Sequence, residues 1–380
     1  MRIAINALSA RAGGGLIYLR KLISYLREID RDNEYYIFVT RSNREKVIQF
    51  EDPRFRPVMV NVGNVGLRVI YEQTVLPFLL RRLGVDVVYA PADLAPLFAP
   101  CKVVLGVQNL NIYYPDVVRR GVMTRAKLKI QRWLAGLSAK KATRVIFVSK
   151  TSAADIGRKL NIPEGRRVAI WHGVETDRFS PRRASVSTMN IFPNNNRVKS
   201  GYILYVSNVS RHKNFEVLLK GYSMLEGSLR DKHQLLVVGR ISKSYLAELS
   251  NLAQDFGCAE NLIFAGEVPH ENLPSIYRNA ILFVLPSILE TFGIPIIEAM
   301  ASGVPVIASS ASVLPEIVGD AGVLFDPNDP TDLARKIRAV IGDERLRNAL
   351  IEKGLQRARL FTWERCARET LAVFEGCLDT

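Results

Sequence analysis

Short runs of apolar residues, rich in valine and isoleucine, alternate along the chain with longer segments whose apolar residues recur at helical spacing. The runs predict seven strands in the first half: Arg2–Asn6, Tyr35–Thr40, Pro57–Asn61, Val85–Tyr89, Lys102–Val107, Arg144–Val148 and Val168–Trp171. They predict six more in the second half: Gly201–Val206, Gln234–Gly239, Asn261–Ala265, Ala280–Leu285, Val304–Ala308 and Gly322–Phe325. Strands that are apolar on both faces and separated by helices are typical of parallel sheets in doubly wound α/β domains.

Two domains of this kind fit the length of 380 residues. The polar stretch Pro181–Ser200 has no helical period, so it is predicted to be a linker. We therefore expect a first domain over residues 1–180 and a second over residues 181–360. Three helical patterns end the chain, at Thr331–Ile341, Glu344–Leu360 and Trp363–Phe374, and a break at Phe361-Thr362 allows the last helix to leave the second domain.

The net charge of +15 is confined to the first half of the chain. Residues 1–180 carry 30 basic and 15 acidic side chains, whereas residues 181–380 carry 22 of each. A uniformly basic protein would indicate a general affinity for polyanions. This division instead indicates two halves with different partners.

Several classes of protein are excluded by the composition and the residue spacing. The longest apolar runs are far shorter than the ~18 residues that indicate a membrane span. Met1-Arg2 leads directly into a predicted strand, so no signal peptide is expected. The four cysteines are widely separated, which favours reduced thiols in a cytoplasmic protein, and the four histidines lack metal-ligand spacing.

Loops suited to anions follow the first strand of each predicted domain. Gly13-Gly14-Gly15 opens the first helix, where glycine lets backbone N–H groups approach a ligand and the helix N-terminus favours negative charge. Ser207–Asn214 carries Arg211 and Lys213, a cationic pair suited to phosphate. For the first loop, a glycine-rich turn without a ligand remains the alternative, because the spacings of a dinucleotide fingerprint and a Walker loop are both missing. For the second loop, the alternative is an exposed basic turn.

Two glutamates stand in the most specific segment, Leu285–Val306. Glu290 lies in the loop after a predicted strand, and Glu298 lies in a helix that is otherwise apolar almost all round. A carboxylate in such a setting is costly unless it is paired or binds a ligand. Both glutamates can face one cleft and hold hydroxyl groups of one ligand; two structural carboxylates that pair locally are the alternative.

This segment resembles the signature of the retaining glycosyltransferases of family four, which have the GT-B fold of two Rossmann-like domains facing across a cleft. Their pattern is Pro-Ser-x-x-Glu-Gly-Phe-Gly-x-Pro-x-x-Glu-Ala-Met-Ala-x-Gly-x-Pro-Val, and nearly every position from Pro286 to Val306 matches it. The resemblance extends over almost the whole chain. It includes the glycine-rich first loop, Trp171–Phe179 near the hinge, and Phe361–Glu364 before the final helix, which in family members crosses back onto the first domain.

Carried over position by position, the resemblance implies a metal-independent site for a nucleotide diphosphate sugar. Glu298 would bind the ribose hydroxyls and Glu290 would hold hydroxyls of the donor sugar. Lys213 would bind the diphosphate, with Arg211 in the role of an arginine that many relatives carry nearby. The other donor-binding candidates are Gly14, Gly15, Ser207, Gly239, Thr291, Phe292, Gly293 and Ile294, and the acceptor-side candidates are Gln108 and Asn109.

The sequence departs from the family pattern at three places. Thr291 replaces the usual glycine, and Asn208 or His212 stands where many relatives have arginine. Gln108-Asn109 stands where many relatives have His-Asp, so this chain has no histidine base at that point. The resemblance then implies that the leaving diphosphate accepts the proton of the acceptor while Gln108 holds a hydroxyl.

The basic excess includes an amphipathic segment, Arg119–Arg144, which has nine basic residues and no acidic one. Its apolar residues Met123, Ala126, Ile130, Trp133, Leu134 and Leu137 recur at helical spacing. Such a helix either lies on an anionic membrane surface or packs on its own domain with a solvated basic face. Both interpretations hold if the apolar stripe of the helix packs on its own domain while the basic side chains face the lipid headgroups. No module for nucleic acid is present.

These features predict a cytoplasmic protein, peripheral at the inner membrane face, that moves a mannosyl-type hexose from a nucleotide diphosphate sugar to a glycan or lipid-linked acceptor. Cell-surface polysaccharide synthesis is the expected setting. The alternatives are a nucleotide-sugar epimerase or a phosphorylase of similar fold, and a nucleotide-sugar-binding protein without transfer activity.

Overall fold

The computed structural model describes residues 1–11, 13–115, 117, 122–181 and 198–378, with residue 111 and residues 122–127 described by their backbone only. The chain forms two compact units. Unit 1 comprises Met1–Gly173 together with Thr362–Thr380, and unit 2 comprises Val174–Phe361. Most of the predicted linker lies outside the described residues.

In its described part, unit 1 has a sheet of seven parallel strands: β1 (Arg2–Asn6), β2 (Glu34–Val39), β3 (Phe55–Met59), β4 (Val87–Ala90), β5 (Lys102–Val107), β6 (Arg144–Phe147) and β7 (Arg167–Ala169). Their order across the sheet is β3-β2-β1-β4-β5-β6-β7. The direction of winding therefore reverses between β1 and β4, and the loops after these two strands open at the place where ligands bind in doubly wound sheets.

In its described part, unit 2 has a sheet of six parallel strands: β8 (Tyr202–Val206), β9 (Leu235–Val238), β10 (Leu262–Gly266), β11 (Ala280–Leu285), β12 (Val306–Ser309) and β13 (Val323–Phe325). Their order is β10-β9-β8-β11-β12-β13. Here the winding reverses between β8 and β11. Each of the thirteen strands falls on one of the apolar runs predicted from the sequence.

Helices connect the strands of both sheets. Unit 1 contains α1 (Gly13–Ile29), α2 (Arg44–Val47), α3 (Val65–Arg82), α4 (Val122–Lys141) and α5 (Lys150–Lys159). Unit 2 contains α6 (Phe215–Ser223), α7 (Gly227–Lys232), α8 (Lys243–Asp255), α9 (Leu273–Arg278), α10 (Ile294–Ala301), α11 (Leu314–Val318), α12 (Pro330–Gly342) and α13 (Glu344–Ala358). The last helix, α14 (Trp363–Glu375), belongs to unit 1.

Helix α14 completes the core of unit 1. Trp363, Ala367 and Phe374 are buried in the same apolar cluster as Leu22 of α1. The helix starts where the Thr362 side chain accepts a hydrogen bond from the backbone N–H of Arg365 (3.1 Å), a regular N-terminal cap. The residues that follow the break at Phe361-Thr362 thus supply part of the core of the first unit.

Gly173 lies so close to the start of α14 that no side chain fits there. A Cβ at this position would stand 2.2 Å from the backbone N of Trp363. We expect Gly173→Ala to lower the free energy of unfolding by about 3 kcal/mol, at the upper end of the cost of overpacking, because the clash is with backbone. Urea unfolding measures the change.

The matched control is Gly342→Ala, at a helical glycine whose Cβ would meet nothing within 4 Å. This variant should be as stable as the parent protein or slightly more so. Equal stability of the two variants would contradict the proposed clash.

Unit 2 begins at Val174, earlier than the predicted boundary after residue 180, because the intervening residues pack into unit 2. The backbone N of Val174 donates to the carbonyl of Phe361 (3.0 Å). The buried ring of Phe179 lies 5.9 Å from the ring of Tyr277. The two parallel-sheet α/β units confirm the predicted fold class.

Candidate active site

The loops at the carboxyl edge of the sheet in unit 2 carry most of the predicted donor-binding residues. Ser207 follows β8, Gly239 follows β9, and the loop that contains Glu290 follows β11. The backbone N of Ile288 donates to the carbonyl of His212 at 3.0 Å, so the loops after β8 and β11 are joined. These two loops flank the point where the winding reverses, which is where an open α/β sheet binds its ligands.

Lys213 and Glu290 form an ion pair at this edge. The Nζ atom of Lys213 lies 2.6 Å from Oε1 of Glu290, and the side chains are only 15% and 11% exposed. The Ser287 hydroxyl donates to the same oxygen at 2.9 Å. Ser312 holds the backbone of Glu290, because its hydroxyl donates to the Glu290 carbonyl at 3.0 Å. The pair is therefore fixed from several sides and mostly shielded from water.

Glu298 is buried in α10 and is held by a tyrosine. The hydroxyl of Tyr277 donates to Oε2 of Glu298 at 2.9 Å, and Nε2 of His270 lies 3.8 Å from Oε1. Burial, reinforced by the neighbouring Glu298 carboxylate, raises the pKa of Tyr277 well above its usual value. Tyr277 thus keeps its proton and remains a hydrogen-bond donor, which orients the carboxylate.

Two glycines shape the backbone at this edge. Gly293, which precedes α10, has φ +97°, a left-handed conformation that side chains disfavour. A Cβ on Gly239 would lie 2.1 Å from the carbonyl oxygen of Ser207, so the loops after β8 and β9 approach as closely as backbone allows. The predicted positions Thr291, Phe292 and Ile294 lie beside Gly293, with Phe292 buried and Thr291 and Ile294 partly exposed.

Arg211 and Lys213, the predicted cationic pair, contact different carboxylates in the structure. Lys213 pairs with Glu290, as described above. The Arg211 guanidinium instead contacts Glu216 at 2.9 Å and Glu248 at 2.5 Å, and it lies 4.6 Å from the centre of the Tyr245 ring. Two carboxylates on α6 and α8 therefore engage Arg211, whereas Lys213 lies at the strand-end edge.

Unit 1 contains a cavity of about 660 Å³ at the carboxyl edge of its own sheet. The predicted residues Gly14, Gly15, Gln108 and Asn109 all line it. A Cβ on Gly14 or Gly15 would meet nothing within 4 Å, so the space above the first turn of α1 is open. The other lining residues are Ser9, Ala10, Leu16, Leu19, Val65, Arg68, Val69, Pro91, Ala92, Asp93, Leu94, Ile112, Gln131 and Leu134.

Asp93, in the loop after β4, lines this cavity and was not among the candidates from the sequence. It is 7% exposed and has φ +62°, an uncommon conformation outside glycine. Its carboxylate accepts hydrogen bonds from the Tyr113 hydroxyl (3.0 Å) and the backbone N of Asn109 (3.2 Å). Burial raises its pKa to about 7. In the sequence, the one feature that marks Asp93 as a candidate is its position after a predicted buried strand. Many aspartates with a purely structural role occupy such positions.

The described residues contain neither a metal-binding cluster nor a helix that could cross a membrane. Within the described ranges, no group of three or more histidine, cysteine, aspartate or glutamate side chains is placed to hold a metal ion. Of the helices that the structure describes, none is both long and apolar enough to cross a membrane.

Two protein-family models match the chain. The model described as Glycosyltransferase Family 4 matches residues 12–178, and the model described as Glycosyl transferases group 1 matches residues 187–357. O-antigen chain mannosyltransferase B of Escherichia coli is 33% identical over 235 residues, which cover 62% of this chain and 61% of that protein. The chain spans less than two thirds of the length of the curated relatives with the strongest matches.

Solved structures resemble the chain over its full length. Sucrose-phosphate synthase from Thermosynechococcus elongatus has a TM-score of 0.78 and 21% identity, and the match covers 100% of this chain and 99% of that one. Anabaena HepE in complex with UDP-glucose has a TM-score of 0.75 and 17% identity, with 99% and 100% covered. At these identities the likeness establishes the fold.

The two doubly wound units and their structural neighbours define the GT-B fold, and both matching family models are models of glycosyltransferases. The two family models together match most of the sequence; the first ends before the predicted linker and the second begins within it. The chain belongs to glycosyltransferase family 4, which confirms the family resemblance seen in the sequence.

Proposed function

We propose that this protein is a metal-independent, retaining glycosyltransferase. It transfers a hexose of mannosyl type from a nucleotide diphosphate sugar to a glycan or lipid-linked acceptor in cell-surface polysaccharide synthesis. The observation that carries the proposal is the Lys213–Glu290 pair, fixed where the winding of the second sheet reverses. The family match and the mannosyltransferase relative support the choice of reaction and sugar.

The donor occupies the edge of unit 2 in this proposal. Glu298, oriented by Tyr277, accepts hydrogen bonds from the ribose hydroxyls. Lys213 turns from Glu290 to the diphosphate, and the Glu290 carboxylate is then available to the hydroxyls of the sugar. Backbone N–H groups beside Gly293 complete the anion site, because they lead into the N-terminus of α10.

Transfer breaks the bond between the anomeric carbon and the diphosphate and forms a bond from that carbon to an acceptor oxygen. The acceptor proton passes to the departing diphosphate, on the same face of the sugar. Negative charge grows on the diphosphate as its bond breaks, so a fixed cation there lowers the barrier. Lys213 supplies that charge from a site shielded from water, where electrostatic interactions are strongest.

The acceptor occupies the cavity of unit 1. The cavity is lined by apolar side chains together with Arg68, Asp93, Gln108, Asn109 and other polar groups. This combination is typical of sites that bind a sugar, since the apolar faces of the ring pack on the walls while a few polar groups fix its hydroxyls.

The direct test is an assay of donor turnover. The protein is screened by thermal shift against GDP-mannose, UDP-glucose, UDP-galactose and TDP-glucose, and each stabilising donor is assayed for hydrolysis and transfer with EDTA present. Product of retained anomeric configuration, seen by NMR, would support the proposal. Inverted product, or activity lost to EDTA and restored by a divalent cation, would contradict it. Binding without turnover of any donor would favour the nucleotide-sugar-binding alternative.

Helix α4 presents a mixed apolar and basic surface that suits an anionic membrane. Ile130 and Trp133 are 60% and 64% exposed, beside the exposed Lys129 and Arg132. The predicted apolar stripe, for which both a core-facing and a membrane-facing orientation were open, is thus partly at the surface, and the helix buries Leu128, Ala135 and Ala139. An exposed tryptophan among basic residues is typical of helices that lie in the membrane interface, and we include such binding in the proposal. Arg119 and Arg120 lie outside the described residues.

We expect the double variant Lys129→Glu/Arg132→Glu to lose vesicle binding. Each basic residue near anionic headgroups contributes about 1 kcal/mol, so reversing two charges should weaken partition by at least about ten-fold. Flotation with vesicles of phosphatidylglycerol and phosphatidylcholine measures the effect.

The control is Arg44→Glu/Lys46→Glu, which makes the same change of charge at exposed positions on α2. It should keep most of its binding. Equal losses in the two variants would show that net charge, and not the surface of α4, determines the association.

A further inference from the structure

The cavity of unit 1 is close to electrically neutral, although it lies in the basic half of the chain. Of its lining residues within the described ranges, Arg68 is the basic one and Asp93 the acidic one. Behind Arg68, the buried carboxylate of Glu72 approaches its Nε atom to 3.7 Å. Apart from Arg68, the basic side chains that the structure describes in this half therefore lie outside the cavity, which suits a neutral, hydroxylated ligand better than an anionic sugar.

Asp93 is positioned at the point of this cavity where strand order predicts a ligand. It follows β4, and β4 is one of the two strands between which the winding of the sheet reverses. The glycine loop with Gly14 and Gly15 follows the other, β1, and lines the same cavity. An acceptor in this cavity lies against both loops.

The surroundings of Asp93 orient its carboxylate and leave it capacity for another hydrogen bond. Oδ1 accepts the Tyr113 hydroxyl and Oδ2 accepts the backbone N of Asn109, and the backbone N of Gln108 also contributes. Among the described residues, no lysine or arginine pairs with it. A carboxylate has about four acceptor positions, so one remains for a ligand hydroxyl.

We propose that Asp93 binds a hydroxyl of a neutral acceptor sugar in this cavity, an inference that rests on the glycosyl transfer proposed above. The carboxylate accepts a hydrogen bond from the sugar and fixes its orientation beside Gln108. No bond to Asp93 forms or breaks. This role fits the absence of a histidine at position 108, because the site then needs another side chain to recognise the acceptor.

The role requires the ionised carboxylate, which gives it a pH dependence. Among the described residues, the titratable or charged groups around Asp93 are Tyr113, which bonds to it, Arg132, which acts on Tyr113, and Arg68, which lines the same cavity. Burial raises the pKa of Asp93 to about 7, whereas the hydrogen bond from Tyr113 opposes that rise. The ionised fraction therefore grows as the pH rises through about 7, and acceptor use should grow with it.

The test measures transfer from the stabilising donor to p-nitrophenyl α-mannoside and to p-nitrophenyl β-glucuronide, between about pH 6 and 8.5. We expect the neutral glycoside to be preferred. Asp93→Asn should lower kcat/KM for the mannoside by about ten-fold or more at the alkaline end and remove the rise near pH 7. Tyr113→Phe should keep the rise but move it to higher pH, because the ionised form loses a donor.

Donor hydrolysis without acceptor separates this role from folding or donor binding, because water takes the place of the sugar hydroxyl. Asp93→Asn should lower transfer to the mannoside by a clearly larger factor than it lowers hydrolysis. An unchanged pH profile in Asp93→Asn, or a preference for the glucuronide, would overturn the proposal. Hydrolysis by the wild-type protein with transfer to neither glycoside would also overturn it. Failure of both hydrolysis and transfer would instead contradict the proposed function.

Discussion

Replacing Lys213 with methionine should lower kcat by about 10²–10³, the loss typical of removing one preorganised group that stabilises developing charge. The reason lies in its position. Its Nζ atom is 2.6 Å from Glu290 at the reversal point of the second sheet, with little exposure to water. The departing diphosphate would lose a cation that the transition state needs more than the bound donor does, so kcat should fall more than KM rises.

The partner of Lys213 complicates the interpretation of a single variant, because Lys213→Met leaves a mostly buried carboxylate without its ion pair. Combining it with Glu290→Gln relieves that cost. Thermal unfolding of the two single variants and the double variant measures the ion pair itself, and kcat of the same set measures catalysis. A double variant that regains stability but not kcat would assign the catalytic loss to the missing charge.

Arg211→Met is the matched comparison, since it removes a positive charge two positions away. Its guanidinium is engaged by Glu216 and Glu248, so we expect its loss to change kcat by only a few-fold. An equal loss in Arg211→Met and Lys213→Met would show that Arg211 leaves its two carboxylates when the donor binds. The proposed division of roles would then be wrong.

Replacing Glu298 with alanine should weaken donor binding by about ten- to a hundred-fold. Hydrogen bonds to a charged group contribute roughly 1.5–3 kcal/mol, and Glu298 is expected to accept those of the ribose. The effect should appear in Kd and KM and less in kcat, because the ribose is remote from the reacting bond. Calorimetric titration with the donor and with its free nucleoside diphosphate measures it, and both affinities should fall together.

Tyr277→Phe provides the control for this prediction. It keeps the Glu298 carboxylate but removes the hydroxyl that orients it at 2.9 Å. Donor binding should weaken by a smaller factor than in Glu298→Ala. If Tyr277→Phe weakens binding as much as Glu298→Ala does, then loss of local structure, and not of a ligand contact, explains both.

The fold could be predicted from the sequence because its signals are local. Runs such as Ile3–Ile5 and Leu282–Leu285 are buried on both faces, and a strand of this kind is recognisable without knowledge of its neighbours. The final three helices also follow from their spacing. The order of strands across each sheet was not predictable in this way, since pairing depends on contacts between distant parts of the chain.

The site was predictable only in part, because its electrostatics depend on distant partners. The ion pair of Lys213 joins residues 77 positions apart, and Arg211 meets a glutamate 37 positions away. Neither spacing follows a local pattern. Asp93 owes its raised pKa to burial, which no motif records. Trp133 is exposed because Leu128, Ala135 and Ala139 take the buried face of α4, and the helical spacing alone left open which face packs on the domain.

The division of unit 1 between two segments of chain has a consequence for biosynthesis. Trp363, Ala367 and Phe374 belong to the core that begins with β1, so that core stays incomplete until the last helix has left the ribosome. Unit 2 is continuous from Val174 to Phe361 and is synthesised entirely before that point. Although domains usually mature from the N-terminus onward during translation, the second unit of this chain can finish folding first.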